Sequence, residues 1–157
     1  MKFVFTLLLI SFSSIAFSQM TFNDILKIYK MDMDQFEEYA ISRGYEFYKF
    51  EKEEEVNGVM YRKINRRGRE TTYLELYDSY YSEGKHIGFQ TGVSSDILRI
   101  KTEMKKFGYK LYTSIFMKDN ITKADRYTNG KFELSIYTTP PNENFDYAWY
   151  EIGFGKY

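Results

Sequence analysis

Two short stretches of this chain, Gly44–Tyr48 (GYEFY) and Gly108–Tyr112 (GYKLY), decide how we expect it to fold. An aspartate precedes each glycine at the same spacing, Asp32 in one case and Asp96 in the other, so the aspartate and the glycine recur together. A pattern that returns at a fixed spacing is the signature of an internal repeat. The chain is therefore predicted to contain two related structural units.

A third recurring feature supports the repeat. Ile87–Phe89 (IGF) returns as Ile152–Phe154 (IGF), at nearly the same offset as the two glycines. A competing match, Asp24–Ile28 (DILKI) with Asp96–Ile100 (DILRI), has a longer offset and stands alone. We interpret it as coincidence or as a remnant of helix composition. Chance similarity between two short helix–strand units is the alternative to the repeat itself.

The first unit begins with a predicted helix. Asp32 followed by Gln35 has the form of a capping box, which predicts a helix over 33–43. Gly44 would end this helix in the left-handed conformation that glycine adopts most easily. Apolar residues spaced along 22–29 predict an additional helix before the first unit.

The second unit repeats this start. Asp96 is predicted to cap a helix that Gly108 ends, and Lys105 and Lys106 suit its negative C-terminal end. Three residues form the apolar stripe of this helix: Ile97, Ile100 and Met104.

Four strands follow each helix. Asn57-Gly58 is typical of a two-residue hairpin turn, here joining strands over 45–55 and 59–65 and pairing Glu53 with Arg62. The turns Asp119-Asn120 and Asn129-Gly130 belong to the second unit, and Asn65 to Glu70 forms the loop that corresponds to the latter. The remaining strands are predicted over 71–78, 86–91, 131–138 and 147–154. The expected fold class is α+β: two tandem helix-plus-four-strand units, an antiparallel sheet, helices on one face and an extra N-terminal helix.

Residues 1–18 have the layout of a secretory signal peptide. Lys2 gives a positive start, Phe3 to Ile10 is mostly apolar, and Ala16 and Ser18 place small residues before Gln19. We expect cleavage near Ser18-Gln19 and a periplasmic or secreted protein, with no stable membrane insertion afterwards; an uncleaved anchor is the alternative. The mature chain would divide into residues 19–92, the extra helix with the first unit, and residues 93–157, the second unit.

Composition excludes several function classes. The 157 residues carry 22 Lys and Arg against 22 Asp and Glu, and this balance argues against nucleic acid as the main partner. With no Cys there is no disulfide, thiolate zinc site or iron–sulfur cluster, and one His cannot form a two-His metal site. The sequence predicts no cofactor and no metal.

Two resemblances follow from these features. The tandem units with Gly-aromatic junctions, and a leader that ends in Phe17-Ser18-Gln19, resemble small secreted proteins of flavobacteria-like bacteria, a group that implies no particular activity. The doubled helix-plus-four-strand plan is similar to the beta-lactamase-inhibitor-like fold, which implies a concave sheet that binds other proteins. This chain lacks the cysteines of that inhibitor's disulfides, so the resemblance does not imply inhibition.

Strand alternation predicts a binding face. The aliphatic residues of the third and last strands should meet the helices, and the opposite face should then collect aromatic side chains around glutamates. The predicted binding residues are Tyr73, Glu75, Tyr77, Tyr137, Tyr147 and Trp149. Tyr and Trp combine a large contact area with few rotatable bonds, which suits recognition of a protein or a glycan. A loop or a second subunit covering this face is the alternative, and full burial of both Tyr77 and Trp149 would indicate it.

The leading hypothesis is therefore an exported, non-enzymatic binding or interaction module. A small extracytoplasmic hydrolase acting on glycan or peptide is the second, and its catalytic groups would come from Tyr and from Glu75, Glu133 and Glu151, the carboxylates placed on that face. A structural part of the envelope is the third. His86 has Glu83 close in sequence, but nothing completes a triad, so we interpret it as a surface histidine at a loop–strand junction.

Overall fold

The computed structural model describes residues 20–53, 56–64, 71–79, 84–143 and 146–156. The predicted signal peptide and its cleavage point lie outside these ranges, as do positions 54–55 and the predicted loop at 65–70.

One antiparallel sheet contains all eight strands of the described chain. They are β1 (Glu46–Glu53), β2 (Val56–Ile64), β3 (Thr71–Ser79), β4 (Gly84–Thr91), β5 (Lys110–Phe116), β6 (Lys123–Thr128), β7 (Phe132–Thr139) and β8 (Trp149–Lys156). Their order across the sheet is β1-β2-β3-β4-β8-β7-β6-β5, so each unit contributes one half and the last strands of the two units meet in the middle. The predicted α+β class with an antiparallel sheet is confirmed.

Three helices occur in the described residues: α1 (Phe22–Ile28), α2 (Met33–Ser42) and α3 (Ser94–Lys106). A capping box begins α2, because Asp32 accepts a hydrogen bond from Gln35 N while the Gln35 side chain accepts one from Asp32 N. Thr21 and Asp24 form the same motif at the start of α1. The predicted helices over 22–29 and 33–43 are thereby confirmed.

The predicted cap of the third helix is wrong. Helix α3 begins at Ser94, its cap position is Val93, and no side chain makes a capping hydrogen bond there. The Val93 N–H donates to Thr91 Oγ1 at 3.0 Å, so the chain has already turned into the helix before Asp96. Asp96 is the third helical residue, the position that Asp24 occupies in α1. The likeness of DILKI and DILRI thus reflects equivalent helix positions.

Asp96 lies in a buried position that penalises its charge. The residue is 7% exposed, and its Oδ1 atom has no hydrogen-bond partner. Desolvation raises the pKa of the Asp96 carboxyl, and the nearby Arg99 opposes this only in part. The ionised carboxylate at this position therefore destabilises the folded state.

Asp96→Asn is expected to stabilise the protein at neutral pH. The pKa of Asp96 is higher in the folded protein than in the unfolded chain, so protonation of Asp96 favours folding. This stabilising contribution is fully present below the unfolded-state pKa and is lost as the pH rises through the folded-state pKa. The variant should therefore melt at a higher temperature than the wild type at pH 7, and the difference should vanish in acid. Thermal melts of both proteins across that pH range measure this, and a lower melting temperature for the variant at pH 7 would contradict it.

The predicted Asn57-Gly58 turn is also wrong. Both residues lie inside β2, where Asn57 is opposite Lys52 and Glu53 is opposite Val56. Arg62 pairs with Glu46 through an ion pair of 3.0 Å, and not with Glu53. Gly58 serves packing: a β-carbon built on it would overlap the ring of Tyr77. The close approach of that ring explains the glycine without a turn.

The two units share several backbone features. Gly44 and Gly108 follow α2 and α3 with φ of +77° and +80°, as predicted. Register shifts occur at equivalent places, between Phe47 and Lys49 in β1 and between Leu111 and Thr113 in β5. Each bulge adds one residue to its edge strand.

The backbone conformation at Gly108 makes it sensitive to substitution. Nothing lies within 4 Å of a β-carbon built there, so only the positive φ opposes a larger side chain. Gly108→Val should cost about 1 kcal/mol or more of unfolding free energy, since left-handed backbone is unfavourable for β-branched residues. Gly108→Asn should recover part of this loss because asparagine tolerates the left-handed region. Denaturant titration of both variants measures the difference, and equal losses would refute it.

The core lies between the helices and one face of the sheet. Phe154 of β8 is 1% exposed and stands at its centre. Its ring is 5.5 Å from that of Tyr29, 5.5 Å from that of Phe132 and 6.1 Å from that of Phe22, measured between centroids. Helix α1 is therefore packed against the second unit as well as the first, and the two units share one core.

Candidate functional site

The sheet face turned away from the helices carries the predicted binding residues, and we call it the open face. On β3, Leu74 and Leu76 are buried toward the helices, whereas Tyr73, Glu75 and Tyr77 point the other way. The strand residues of the main core cluster all lie on the helix-facing side of the sheet. The alternation predicted for β3, β7 and β8 is confirmed.

An aromatic row crosses one end of the open face, formed by Tyr48, Tyr73, Trp149 and Tyr147. Neighbouring ring centroids in this order are 5.5, 6.3 and 6.4 Å apart, with interplanar angles of 57°, 67° and 46°. Arg62 lies over the Tyr48 ring at 4.9 Å. Tyr73, Tyr147 and Trp149 are half-buried. The row is therefore packed on itself and still reaches solvent.

Tyr77 and Tyr137 lie apart from this row. Tyr77 is opposite His86 on β4 and covers Gly58, while Tyr137 is opposite Glu151 on β8. Both tyrosines are half-buried. Tyr77 and Trp149 are thus both partly exposed, which is the arrangement that a binding face requires.

Glu75 occupies a different environment from the tyrosines beside it. It is 5% exposed, and Gln90 Nε2 donates a hydrogen bond of 2.8 Å to its Oε1 atom. Its carboxylate lies directly over Gly88, so closely that a β-carbon at that glycine would overlap Oε2. Glu75 therefore fills the floor of the open face and offers no surface to a partner.

A depression of about 480 Å³ opens on the open face where β4 of the first unit meets the strands of the second unit. Its lining comes from β4 to β8 and includes His86, Tyr112, Arg126, Glu133, Ser135, Tyr137, Gly153 and Gly155. Of these, the sequence predicted Tyr137 as a binding residue and placed Glu133 on the face. A volume in this range lies near the lower end of small-molecule sites.

Sequence reasoning missed Tyr112 and Arg126 as site residues. Both reach the depression because β6 pairs with β7 and β5 pairs with β6, an arrangement that belongs to the order of strands in the sheet. One signal was available: Tyr112 ends the GYKLY stretch and corresponds to Tyr48 of the first unit. Both tyrosines fall at the edge-strand bulges and reach the open face.

Glu133 is the centre of a hydrogen-bond network in the depression. Tyr112 Oη donates to its Oε2 at 2.6 Å, and Ser135 Oγ donates to its Oε1 at 2.7 Å. Arg126 Nε lies 4.0 Å from the same carboxylate. The hydrogen bond with Tyr112, together with the charge of Glu133, raises the pKa of Arg126 further above its ordinary value. The network holds one negative and one positive charge in fixed positions.

Glu133 is the one carboxylate among the described lining residues of the depression, and both of its oxygens accept hydrogen bonds. Glu151, near the aromatic row, stays exposed, although desolvation by its surroundings raises the pKa of its carboxyl group. The two carboxylates of a glycosidase pair are not brought together in this depression. Within the described ranges, no three His, Asp or Glu side chains converge as ligands for a metal ion.

No protein-family model, curated protein sequence or solved structure matches this chain. The two resemblances drawn from the sequence therefore stay predictions. No helix in the described part of the chain is long and apolar enough to cross a membrane.

Proposed function

We propose that this chain is an exported, non-enzymatic binding module that holds a segment of another protein on its open face. One observation supports this most directly: the core lies on the helix-facing side of the sheet, while Tyr73, Tyr77 and Trp149 on the other side remain partly exposed. Tyr and Trp are among the side chains enriched at protein interfaces and at their energetic hot spots.

The geometry of the aromatic row favours a protein partner over a glycan. Flat stacking of a sugar ring needs an aromatic face that is open to it. Tyr73 and Trp149 meet edge to face at 67°, and Arg62 covers Tyr48, so the row offers ring edges and a corrugated surface. Such a surface fits side chains of a partner better than the plane of a pyranose.

Binding of the wild-type protein to arrayed peptides and arrayed oligosaccharides tests the proposal. We expect saturable binding to peptides, weakened at least about tenfold by Trp149→Ala, which removes a central aromatic contact. Leu98→Ala is the matched control, because Leu98 is 68% exposed on α3, on the opposite side of the molecule. Binding to oligosaccharides alone, or peptide binding that Trp149→Ala leaves unchanged, would overturn the proposal.

Export of the protein has its own test. The charged start, the apolar run and the small residues Ala16 and Ser18 support cleavage before Gln19. N-terminal sequencing of the protein recovered outside the cytoplasm should begin at Gln19 or at a position adjacent to it. Recovery of the full-length chain in the cytoplasm would contradict export.

A further inference from the structure

The centre of the sheet contains an approximate two-fold relation between the units. Gly88 of β4 and Gly153 of β8 face each other, and they are flanked by the pairs Ile87–Phe154 and Phe89–Ile152. The two Ile-Gly-Phe stretches therefore pair with each other in antiparallel orientation, centred on the two glycines. The surface over Gly88 in the first unit and the surface over Gly153 in the second are equivalent places on the open face.

The first unit fills its own place with a carboxylate. Glu75 lies opposite Gly88 on the neighbouring strand, and its side chain folds over that glycine. Gln90 holds the carboxylate through the 2.8 Å hydrogen bond to Oε1. The open face thus already contains one acidic group lying on a bare glycine backbone.

The second unit leaves the equivalent place open. Ser135 lies opposite Gly153, and its short side chain donates to Glu133 and does not cover the glycine. Nothing lies within 4 Å of a β-carbon built on Gly153. Gly153 belongs to the lining of the depression of about 480 Å³. The depression therefore lies where the second unit has Ser135 in place of the glutamate, Glu75, of the first unit.

The electrostatics of the depression favour an anionic guest. Arg126 contributes a positive charge to its lining, and Glu133 contributes the single negative charge among the described lining residues. The Nε atom of Arg126 has no hydrogen-bond partner. Tyr112 and Ser135 already donate to both oxygens of Glu133, which reduces the repulsion that this carboxylate would exert. Tyr112 and Tyr137 add aromatic surface beside these charges.

We propose that the depression binds a ligand's carboxylate group over Gly153, in the place that the Glu75 carboxylate takes over Gly88. The inference rests on the proposed function and deepens it, because it names the group by which the open face recognises its ligand. A carboxylate can come from the C-terminal end of a peptide or from a small organic acid, and the experiment distinguishes these two sources.

The single histidine and the single tryptophan of the chain are separate reporters for this test. His86 lines the depression, whereas Trp149 belongs to the aromatic row. The probes are acetyl-Gly-Gly-Phe with a free C-terminus, the same peptide as its C-terminal amide, and benzoate. We expect saturable shifts of the His86 imidazole signals in NMR spectra, with the free acid binding at least about tenfold more tightly than the amide. If benzoate binds as tightly as the free-acid peptide, a small organic acid is sufficient as the ligand. If benzoate binds more weakly, the ligand is the C-terminal end of a peptide.

Two variants locate the effect. Gly153→Val places a side chain on the floor of the depression and should weaken binding of the free acid at least about tenfold. Arg126→Gln should weaken it as well, whereas Lys123→Gln removes an equal charge from the helix-facing side of the same strand and should leave binding unchanged.

The outcomes separate this inference from the proposed function. Equal binding of acid and amide, or full binding by Gly153→Val, overturns the carboxylate site. If peptide binding on arrays still depends on Trp149 in that case, the binding module stands and only the site over Gly153 is refuted. If peptide binding on the arrays does not depend on Trp149, the proposed function is refuted, whatever the His86 signals show.

Discussion

Phe154→Ala is expected to lower the free energy of unfolding by about 3–5 kcal/mol, the usual cost of removing a buried phenylalanine side chain. Phe154 contacts α1 through Phe22 and the neighbouring Tyr29, and it stacks on Phe132 at an interplanar angle of 20°. The surrounding rings are attached to a helix and a strand that are held in place by the rest of the core. They can therefore fill only part of the cavity that the removed Phe154 side chain leaves. Urea titration of the variant and the wild type measures the loss.

Phe116→Ala is the matched control for this prediction. Phe116 lies on the edge strand β5 and is 65% exposed, so the same change should alter the unfolding free energy by less than about 0.5 kcal/mol. Similar losses in the two variants would contradict the placement of Phe154 at the centre of the shared core.

Gly88→Val is expected to destabilise the protein and Gly153→Val to leave its stability nearly unchanged, although the two glycines face each other in the sheet. The new β-carbon at Gly88 would overlap the Glu75 carboxylate, which is buried and bonded to Gln90 and cannot move without losing that hydrogen bond. Overpacking of this kind costs about 1–3 kcal/mol. At Gly153 there is open space, and valine suits a strand, so the change should be within about 0.5 kcal/mol of neutral.

The pair of variants is its own control, because residue type, sheet position and substitution are the same. Unfolding free energies from chemical denaturation give the comparison. If both variants lose a similar amount of stability, the central strands do not have the asymmetry that creates the depression, and the carboxylate inference loses its structural basis as well.

Local patterns were enough to predict most elements of the fold. The capping residues of α2, the glycines at 44 and 108 and the turns near Asn120 and Gly130 all depend on interactions between close neighbours in the chain. The alternation on β3, β7 and β8 is likewise a property of each strand alone. These features could therefore be predicted without knowing what the strands pack against.

The two errors in element assignment have different causes. Asp96 has the chemistry of a cap, but α3 already begins at Ser94, two residues earlier, where the Val93 N–H donates to Thr91 Oγ1. Asn57-Gly58 has the chemistry of a turn, but Gly58 lies inside β2 beneath the ring of Tyr77 from the next strand. A glycine that makes room for a neighbour and a glycine that allows a turn have the same sequence signal.

The candidate site shows the same division between local and distant information. The sequence placed Tyr73, Tyr77, Tyr137 and Trp149 on one face, because alternation fixes the side from which each residue projects. It could not distinguish Glu75, which is buried over Gly88, from its exposed neighbours, since that depends on which residue stands across the strand pair.

The depression over Gly153 arises at a still larger scale. It requires β8 to insert between β4 and β7, which brings His86 of one unit beside Tyr112 and Arg126 of the other, although a whole helix separates them along the chain. Alternation and capping are set by neighbours along the chain, so the order of residues fixes them. Strand order and the space left over a glycine are set by how the two halves of the sheet meet, and these arise only when the whole chain has folded.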